Sequence, residues 1–404
     1  MLLARLSAAA ATRSFAIGLT GILLGLHLGR GDVGAAMLGL VVAAGMAGLA
    51  AGTLAVSFFG ELFGRRRVLI LTTFLSAGGL AAIALLPASG WLAFPAFLGM
   101  VNGMGRDRGP AQTVEQGILA DLAPPAVRTR WFSNYALVQD VAGALGALAL
   151  SLPAALKLSL GIPEAQGTRW TFGLAAVVTL APLWFYRGLV TPAATGPVQL
   201  TEIRTPRLSP ESRRRVTGLA SLFALDSLGG GFLAGSVLSF WFFRRFDLDG
   251  GVLGLVFFTA RVLNAISYPA AAALARRFGL IRTMVFTHLP SSLVLMVLPF
   301  VPAAGVAIGL FLLREALVQM DVPTRQSYVA AVTGPGERTF ALGVTGVVRN
   351  LGWAVGPGLA GVTMAALGLG APLLIGAALK VVYDGSLFVS FRRLAPPEEP
   401  PRAL

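Results

Sequence analysis

The chain has no cysteine and only two histidines in 404 residues. Without cysteine there is no disulfide, no thiolate metal site and no thiol nucleophile. His27 and His288 lie far apart in separate apolar stretches. No His-based zinc motif can be written from them, and each reads as a packing or interhelical hydrogen-bonding residue. Lysine is as scarce: Lys157 and Lys380 are followed by leucine and valine. That removes the phosphate-binding loop of a nucleotide-driven pump, which ends in Lys-Ser or Lys-Thr. Charge is the third scarcity, at 12% of residues against 55% hydrophobic ones. A soluble fold with about half the usual charge could not cover its exterior, so an ordinary soluble enzyme is excluded. No cofactor or metal is expected.

What the sequence has instead is long apolar blocks. Twelve of them cover 14–29, 35–62, 68–87, 91–121, 131–153, 170–186, 216–243, 251–275, 283–302, 304–333, 340–366 and 370–391. A helix needs about 20 apolar residues to cross a bilayer. The blocks lack the short alternating strands of a membrane barrel. The expected fold is all-α and membrane-integral. The N-terminal Ala-rich stretch at 8–11 is too short for a cleavable signal, so the first span is read as retained.

The formal charge of +14 is distributed by side. With twelve spans, the face bearing both termini holds twenty basic residues, including Arg5, Arg13, Arg65 to Arg67 and Arg213 to Arg215. The other face holds five: Arg30, Lys157, Arg169, Arg244 and Arg245. This is the positive-inside pattern, so both termini are expected in the cytoplasm of a multi-pass cytoplasmic-membrane protein. Nucleic acid is not needed to explain the charge.

Residues 187–215 break the pattern with Pro192, Pro197, Pro206 and Pro210, and divide six spans from six. They read as a cytoplasmic linker between bundles at 1–186 and 216–393, with 394–404 as a tail. The halves resemble each other. Gly279, in Arg277-Phe278-Gly279, lies 215 residues after Gly64, in Phe63-Gly64-Arg65-Arg66. At an offset of 210, Glu115-Gln116, Ala120, Pro125 and Arg128-Thr129 align with Arg325-Gln326, Ala330, Pro335 and Arg338-Thr339. A duplication of six spans accounts for both matches.

Here the sequence resembles the major facilitator superfamily over essentially the whole chain. Gly64, Arg65, Arg66 and Leu69 fit the family's loop between its second and third helices, and Glu61 keeps the acid; Ser57 and Leu62 depart from it. The run Gly352-Trp353-Ala354-Val355-Gly356-Pro357-Gly358 resembles a glycine-proline motif of antiporter members, although in the eleventh span. Glycines so spaced also serve close helix packing. The resemblance implies twelve transmembrane helices in two pseudo-symmetric six-helix bundles. It also implies a monomeric carrier that moves a small-molecule substrate by alternating access, without covalent chemistry.

Seven basic and seven acidic residues fall inside the blocks: Arg106, Arg108, Arg261, Arg314, Arg325, Arg349 and Lys380, with Asp107, Glu115, Asp140, Asp226, Glu315, Asp321 and Asp384. A charge at the bilayer centre costs about 2.5–3.5 kcal/mol even on a mild scale, so these side chains should face the interior and pair. Arg108, Gln112 and Glu115 form one helical stripe, and Arg314, Asp321, Arg325 and Tyr328 another. Arg261, Asn264 and Tyr268 repeat the pattern. Pro110 and Pro323 mark expected helix breaks. Lys380 and Asp384, at i and i+4, read as a structural pair. Asp140 and Arg349, with Gly356 and Pro357, are read as joining the two bundles.

The substrate and proton pathway is therefore expected along Arg108, Glu115, Asp226, Arg261, Arg314, Asp321 and Arg325. A cytoplasmic gate is expected at Glu61, Gly64, Arg65, Arg66, Arg276, Arg277 and Arg282. A carboxylate whose arginine is engaged in one state only changes its proton affinity between states, which favours proton coupling; the glycine-proline run in the eleventh span favours efflux. Uptake, organic-anion exchange, or a non-transporting sensor or assembly role are the alternatives.

Overall fold

A computed structural model describes residues 2–31, 33–106, 109–122, 128–187, 209–332 and 338–391. Arg108 and most of the 187–215 segment lie outside the described residues, as does the side chain of Glu61. The described residues are mostly helical, and no strand occurs among them. In order the helices are α1 (Leu2–Arg30), α2 (Ala35–Phe63), α3 (Arg65–Leu85), α4 (Ala93–Leu98), α5 (Pro110–Leu122), α6 (Arg128–Leu148), α7 (Leu152–Leu160), α8 (Glu164–Leu180) and α9 (Pro182–Tyr186). Then follow α10 (Pro210–Gly231), α11 (Gly235–Phe246), α12 (Gly250–Phe278), α13 (Leu280–Val297), α14 (Ala304–Val318), α15 (Asp321–Ala331), α16 (Arg338–Leu367) and α17 (Ala371–Phe391).

Eight segments are long and apolar enough to cross a membrane among the described residues. Several apolar blocks are interrupted. The 91–121 block ends α4 at Leu98 and resumes as α5 only at Pro110, through Met100 at φ 52° and Gly105 at φ 73°. A proline cannot donate to the preceding turn, and it suits the first turn of a new helix. The 304–333 block divides at Gln319–Met320, three to four residues before the expected break at Pro323. Phe58, Trp91 and Leu158 are among many large apolar side chains turned outward, the surface that lipid covers in a membrane-spanning chain.

Gly64 and Gly279, matched by the repeat, each stand immediately before a helix, at φ 83° and 84°. This is conformational space that side-chain-bearing residues rarely enter. The agreement supports the duplication. Gly64→Ala and Gly279→Ala are each expected to cost about 1–3 kcal/mol, read as a lowered thermal midpoint. Unchanged midpoints would remove the conformational reason for glycine there.

The chain forms two compact units. The first comprises Met1–Pro197 with Ala234–Phe258 and Pro357–Leu369, and the second Val198–Leu233 with Thr259–Gly356 and Gly370–Leu404. In the first unit, residues from the later part of the sequence close onto α1 and α2 near the Arg30 end of α1. Ser239 Oγ donates to the Ile22 carbonyl at 2.8 Å, and the Ser236 backbone N–H donates to the Gly103 carbonyl at 3.0 Å. Glycine makes this approach possible: a Cβ on Gly25 would lie 2.0 Å from the Ser236 carbonyl oxygen, and one on Gly39 2.6 Å from that of Pro357. Gly25→Leu is therefore expected to hold α11 off α1. In this thiol-free chain, Ser239→Cys should then react with an impermeant maleimide roughly tenfold faster, the ratio for about 1.4 kcal/mol of opening. An unchanged rate would show that the contact tolerates the side chain.

Candidate functional site

Each unit buries a charge pair at positions related by the repeat, with polarity reversed. In the first unit Arg13, in the middle of α1, forks onto Glu115 of α5, Nη1 to Oε1 at 2.9 Å and Nη2 to Oε2 at 2.7 Å. Tyr135 of α6 and Tyr186 of α9 donate their hydroxyls to the same carboxylate. Glu115 is fully buried. Bidentate geometry with further donors is what makes such a pair tolerable away from water. Leu6, Leu69, Val114 and Ile118 pack around it.

This corrects two sequence expectations. Arg13 was placed among the basic residues of the terminal loop, but α1 begins at Leu2 and carries Arg13 inside. The stripe from Arg108 to Glu115 does not describe Glu115's bonding, because its cationic partner comes from α1; Gln112 instead donates to Gln139 Oε1 at 3.1 Å.

In the second unit the equivalent positions are Asp226 on α10, 213 residues after Arg13, and Arg325 on α15, 210 residues after Glu115. Here the pair has grown into a network of five helices. Asp226 Oδ1 accepts from Lys380 Nζ of α17 at 2.7 Å, while Oδ2 accepts from Arg325 Nη1 and Arg349 Nη1, each at 3.3 Å. Arg325 also donates to Asp321 Oδ2 at 2.6 Å, one turn back on α15. His288 of α13 places Nδ1 2.9 Å from Asp384, and Nε2 3.5 Å from Lys380 Nζ. A single tautomer satisfies both contacts: Nδ1–H donates to the carboxylate and Nε2 accepts from the ammonium. Around it, the carboxylates of Asp226, Asp321 and Asp384 face the cations Arg325, Arg349 and Lys380, three of each. Arg349 also lies over the Trp353 ring, 4.7 Å from its centre, and Arg325 over Phe223 at 5.4 Å.

Small residues bring these helices within reach. A Cβ on Gly229 would stand 2.9 Å from the Gly376 carbonyl oxygen, and one on Gly356 2.6 Å from Gly231 Cα. α10 therefore approaches both α17 and α16 closely, one turn from Asp226. The glycine at 356 serves this packing.

The expected pairing of Lys380 with Asp384 is not formed: Lys380 meets Asp226, and Asp384 meets His288. Both face inward on α17, so each reaches a different helix instead of its own neighbour. His288 makes the interhelical hydrogen bond that was one of its two expected roles, but its place in a charge network was not foreseen. The available signal was the polar stripe of Thr287, His288, Ser291 and Ser292 on an otherwise apolar helix, all of it buried.

The remaining expected residues divide. The stripe from Arg314 to Tyr328 is cut by the break at Gln319–Met320. Arg314 pairs with its neighbour Glu315, which also accepts from Asn264 Nδ2 at 3.0 Å. Arg261 is half-buried on α12, and Asp140 half-buried on α6. At the gate positions Arg65 pairs with Asp121 of α5, whereas Arg66, Arg276, Arg277 and Arg282 are exposed. Among the described residues no group of three His, Cys, Asp or Glu side chains could hold a metal.

Known proteins match this architecture. The nucleoside transporter NupG superposes with a TM-score of 0.75 at 11% identity, covering 97% of this chain and 99% of that one. A bacterial homolog of the human lysosomal transporter Spinster, inward-facing and occupied, gives 0.74 at 15% identity over 96% of each chain. A D-xylose-proton symporter gives 0.70 at 18% identity, covering 97% and 98%. At these identities the likeness concerns the fold. An uncharacterized membrane protein of Saccharomyces cerevisiae is 25% identical, across 87% of this chain and 85% of its own. The family model described as Major Facilitator Superfamily matches residues 1–320. The all-helical, multi-pass architecture and that match agree: the chain belongs to the major facilitator superfamily, and it is a membrane transporter.

Proposed function

We propose that the protein exports a small organic solute across the cytoplasmic membrane in exchange for protons, as a monomer working by alternating access. In this reading twelve spans form two six-helix bundles, with both termini and the 187–215 linker in the cytoplasm. The observation that carries it is Asp226, one buried carboxylate shared by Lys380, Arg325 and Arg349. A rigid scaffold needs one partner per charge, as at Glu115. A carboxylate shared among three other helices is sensitive to any movement between them. When a partner withdraws, the carboxylate loses stabilisation of its charged form and takes up a proton; when it returns, the proton leaves. A solute that favours one arrangement thereby drives proton binding in the other.

Asp321 competes for Arg325, and His288 joins Lys380 to Asp384, so these groups adjust as Asp226 changes partners. Glu115, saturated by Arg13 and two tyrosines, is assigned to holding the first unit together. Arg314, Arg325 and Arg349 each already hold a carboxylate, which weighs against an organic-anion exchanger. Export, in preference to uptake, rests on the glycine-proline run at 352–358. The gate is assigned to Arg65 and Arg66 with the matching Arg276, Arg277 and Arg282, engaged in one state only.

The experiment is pH-gradient dissipation in proteoliposomes screened over pools of organic cations, organic anions and neutral sugars. The reading expects one pool to release the gradient. If solutes move with no pool shifting pH, proton coupling is rejected; if solutes bind without moving, carriage itself is.

A further inference from the structure

Three helix ends in the first unit surround a cavity that takes no part in the charge networks above. The end of α1, the end of α3 and the start of α8 enclose about 910 Å³. His27 lies against it, 7% exposed, with Nε2 buried and lacking a hydrogen-bond partner. Its ring meets Phe172 edge-on at 5.4 Å. Arg30 is held in place by Glu164 and by Thr168 Oγ1 at 3.3 Å. Arg169, next along α8, also lines the cavity; it is exposed and has no ion pair among the described residues. The rim is apolar, with Leu85 79% and Trp170 51% exposed.

The combination is specific. Two guanidiniums, of which Arg169 has no ion pair among the described residues, lie beside apolar surface at the helix ends. Helix ends lie at headgroup depth, where Trp and Arg anchor to the bilayer. Guanidinium groups match phosphate oxygens in a planar fork. A wholly soluble anion would leave Leu85 and Trp170 unused, whereas a neutral lipid would leave Arg169 unbalanced.

We propose that this cavity binds the phosphate headgroup of an anionic phospholipid, from the leaflet at the Arg30 end of α1. Arg169 supplies the main charge contact, because Arg30 is already balanced by Glu164. His27 closes the polar floor, and the acyl chain runs outward along Leu85 and Trp170. The bound lipid ties α1, α3 and α8 together at this end of the first unit.

The test is the thermal midpoint of the purified full chain in neutral detergent, titrated separately with phosphatidylglycerol, phosphatidylcholine and inorganic phosphate. Phosphatidylglycerol should raise the midpoint saturably, well beyond phosphatidylcholine. Arg169→Gln should weaken its apparent affinity about fivefold, the effect of one basic residue near an anionic surface. Arg169→Lys should restore most of it. Arg169 is exposed, so the lipid-free midpoint of either variant should equal that of the wild type, which separates lost binding from lost folding. Equal stabilisation by the two lipids, or an unchanged affinity in a folded Arg169→Gln protein, overturns the site. Saturation by inorganic phosphate to the same midpoint overturns the lipid assignment in favour of a free-anion site.

Discussion

Asp226→Asn is expected to lower solute-driven proton movement by roughly a hundredfold or more, the scale on which losing a proton-transferring group is felt. The carboxylate is the one acceptor shared by Lys380, Arg325 and Arg349, and asparagine cannot carry the proton between states. The substitution also leaves three cations against two carboxylates in a dry interior. Removing one partner of a buried ion pair costs about 3–5 kcal/mol, so a reduced yield is expected alongside the lost coupling. The two effects separate in a second variant. Asp226→Asn with Lys380→Met restores the charge balance and should recover folded protein in the membrane, yet leave coupling absent. Recovery of both would show that Asp226 acts only by balancing charge, and would remove it as a proton carrier.

The second large effect concerns stability alone. Glu115→Leu strands Arg13 in the core of the first unit together with the hydroxyls of Tyr135 and Tyr186. About 3–5 kcal/mol of destabilisation follows from the unpaired guanidinium. Adding Arg13→Met should recover most of it, because a well-packed apolar pair can replace a buried ionic one at little cost. Measured as thermal midpoints, the double variant should stand well above either single one. If the double variant instead equals the sum of the singles, the pair is not the unit of stability described above. Transport by the recovered double variant should stay within a few-fold of wild type, which distinguishes this scaffold pair from the Asp226 network.

The two pairs show how far a single sequence can be read. Apolar block lengths sufficed for the membrane-helical class, and the alignment of Glu115 with Arg325 already contained half of the reversed-polarity relation. Its other half, Arg13 with Asp226, was hidden because Arg13 precedes the first apolar block and so looked like part of a basic terminus. Periodicity gives which residues share a face of a helix, and that was enough to gather Arg325 with Asp321. It does not give which helix that face meets. Lys380 and Asp384 looked like partners for that reason, and the close approach of Gly229 to Gly376, which carries Lys380 to Asp226 instead, has no local signature. A lone histidine is equally silent until its neighbours are known: His288 gained its role from Asp384 and Lys380, on another helix. Helix breaks were partly legible through Pro110, but the turn after α4 depends on positive φ values at Met100 and Gly105 that the sequence does not announce.

The central claim is that Asp226 exchanges partners as solute moves, and proton stoichiometry tests it most directly. Once a transported solute is found, its reversal potential can be measured in proteoliposomes over a series of imposed pH gradients. Wild type and the charge-balanced Asp226→Asn, Lys380→Met variant would be compared side by side. The account predicts at least one proton exchanged per solute in the wild type and none in the variant, which should move solute only down its own gradient. The same pH dependence of the reversal potential in both proteins would contradict it.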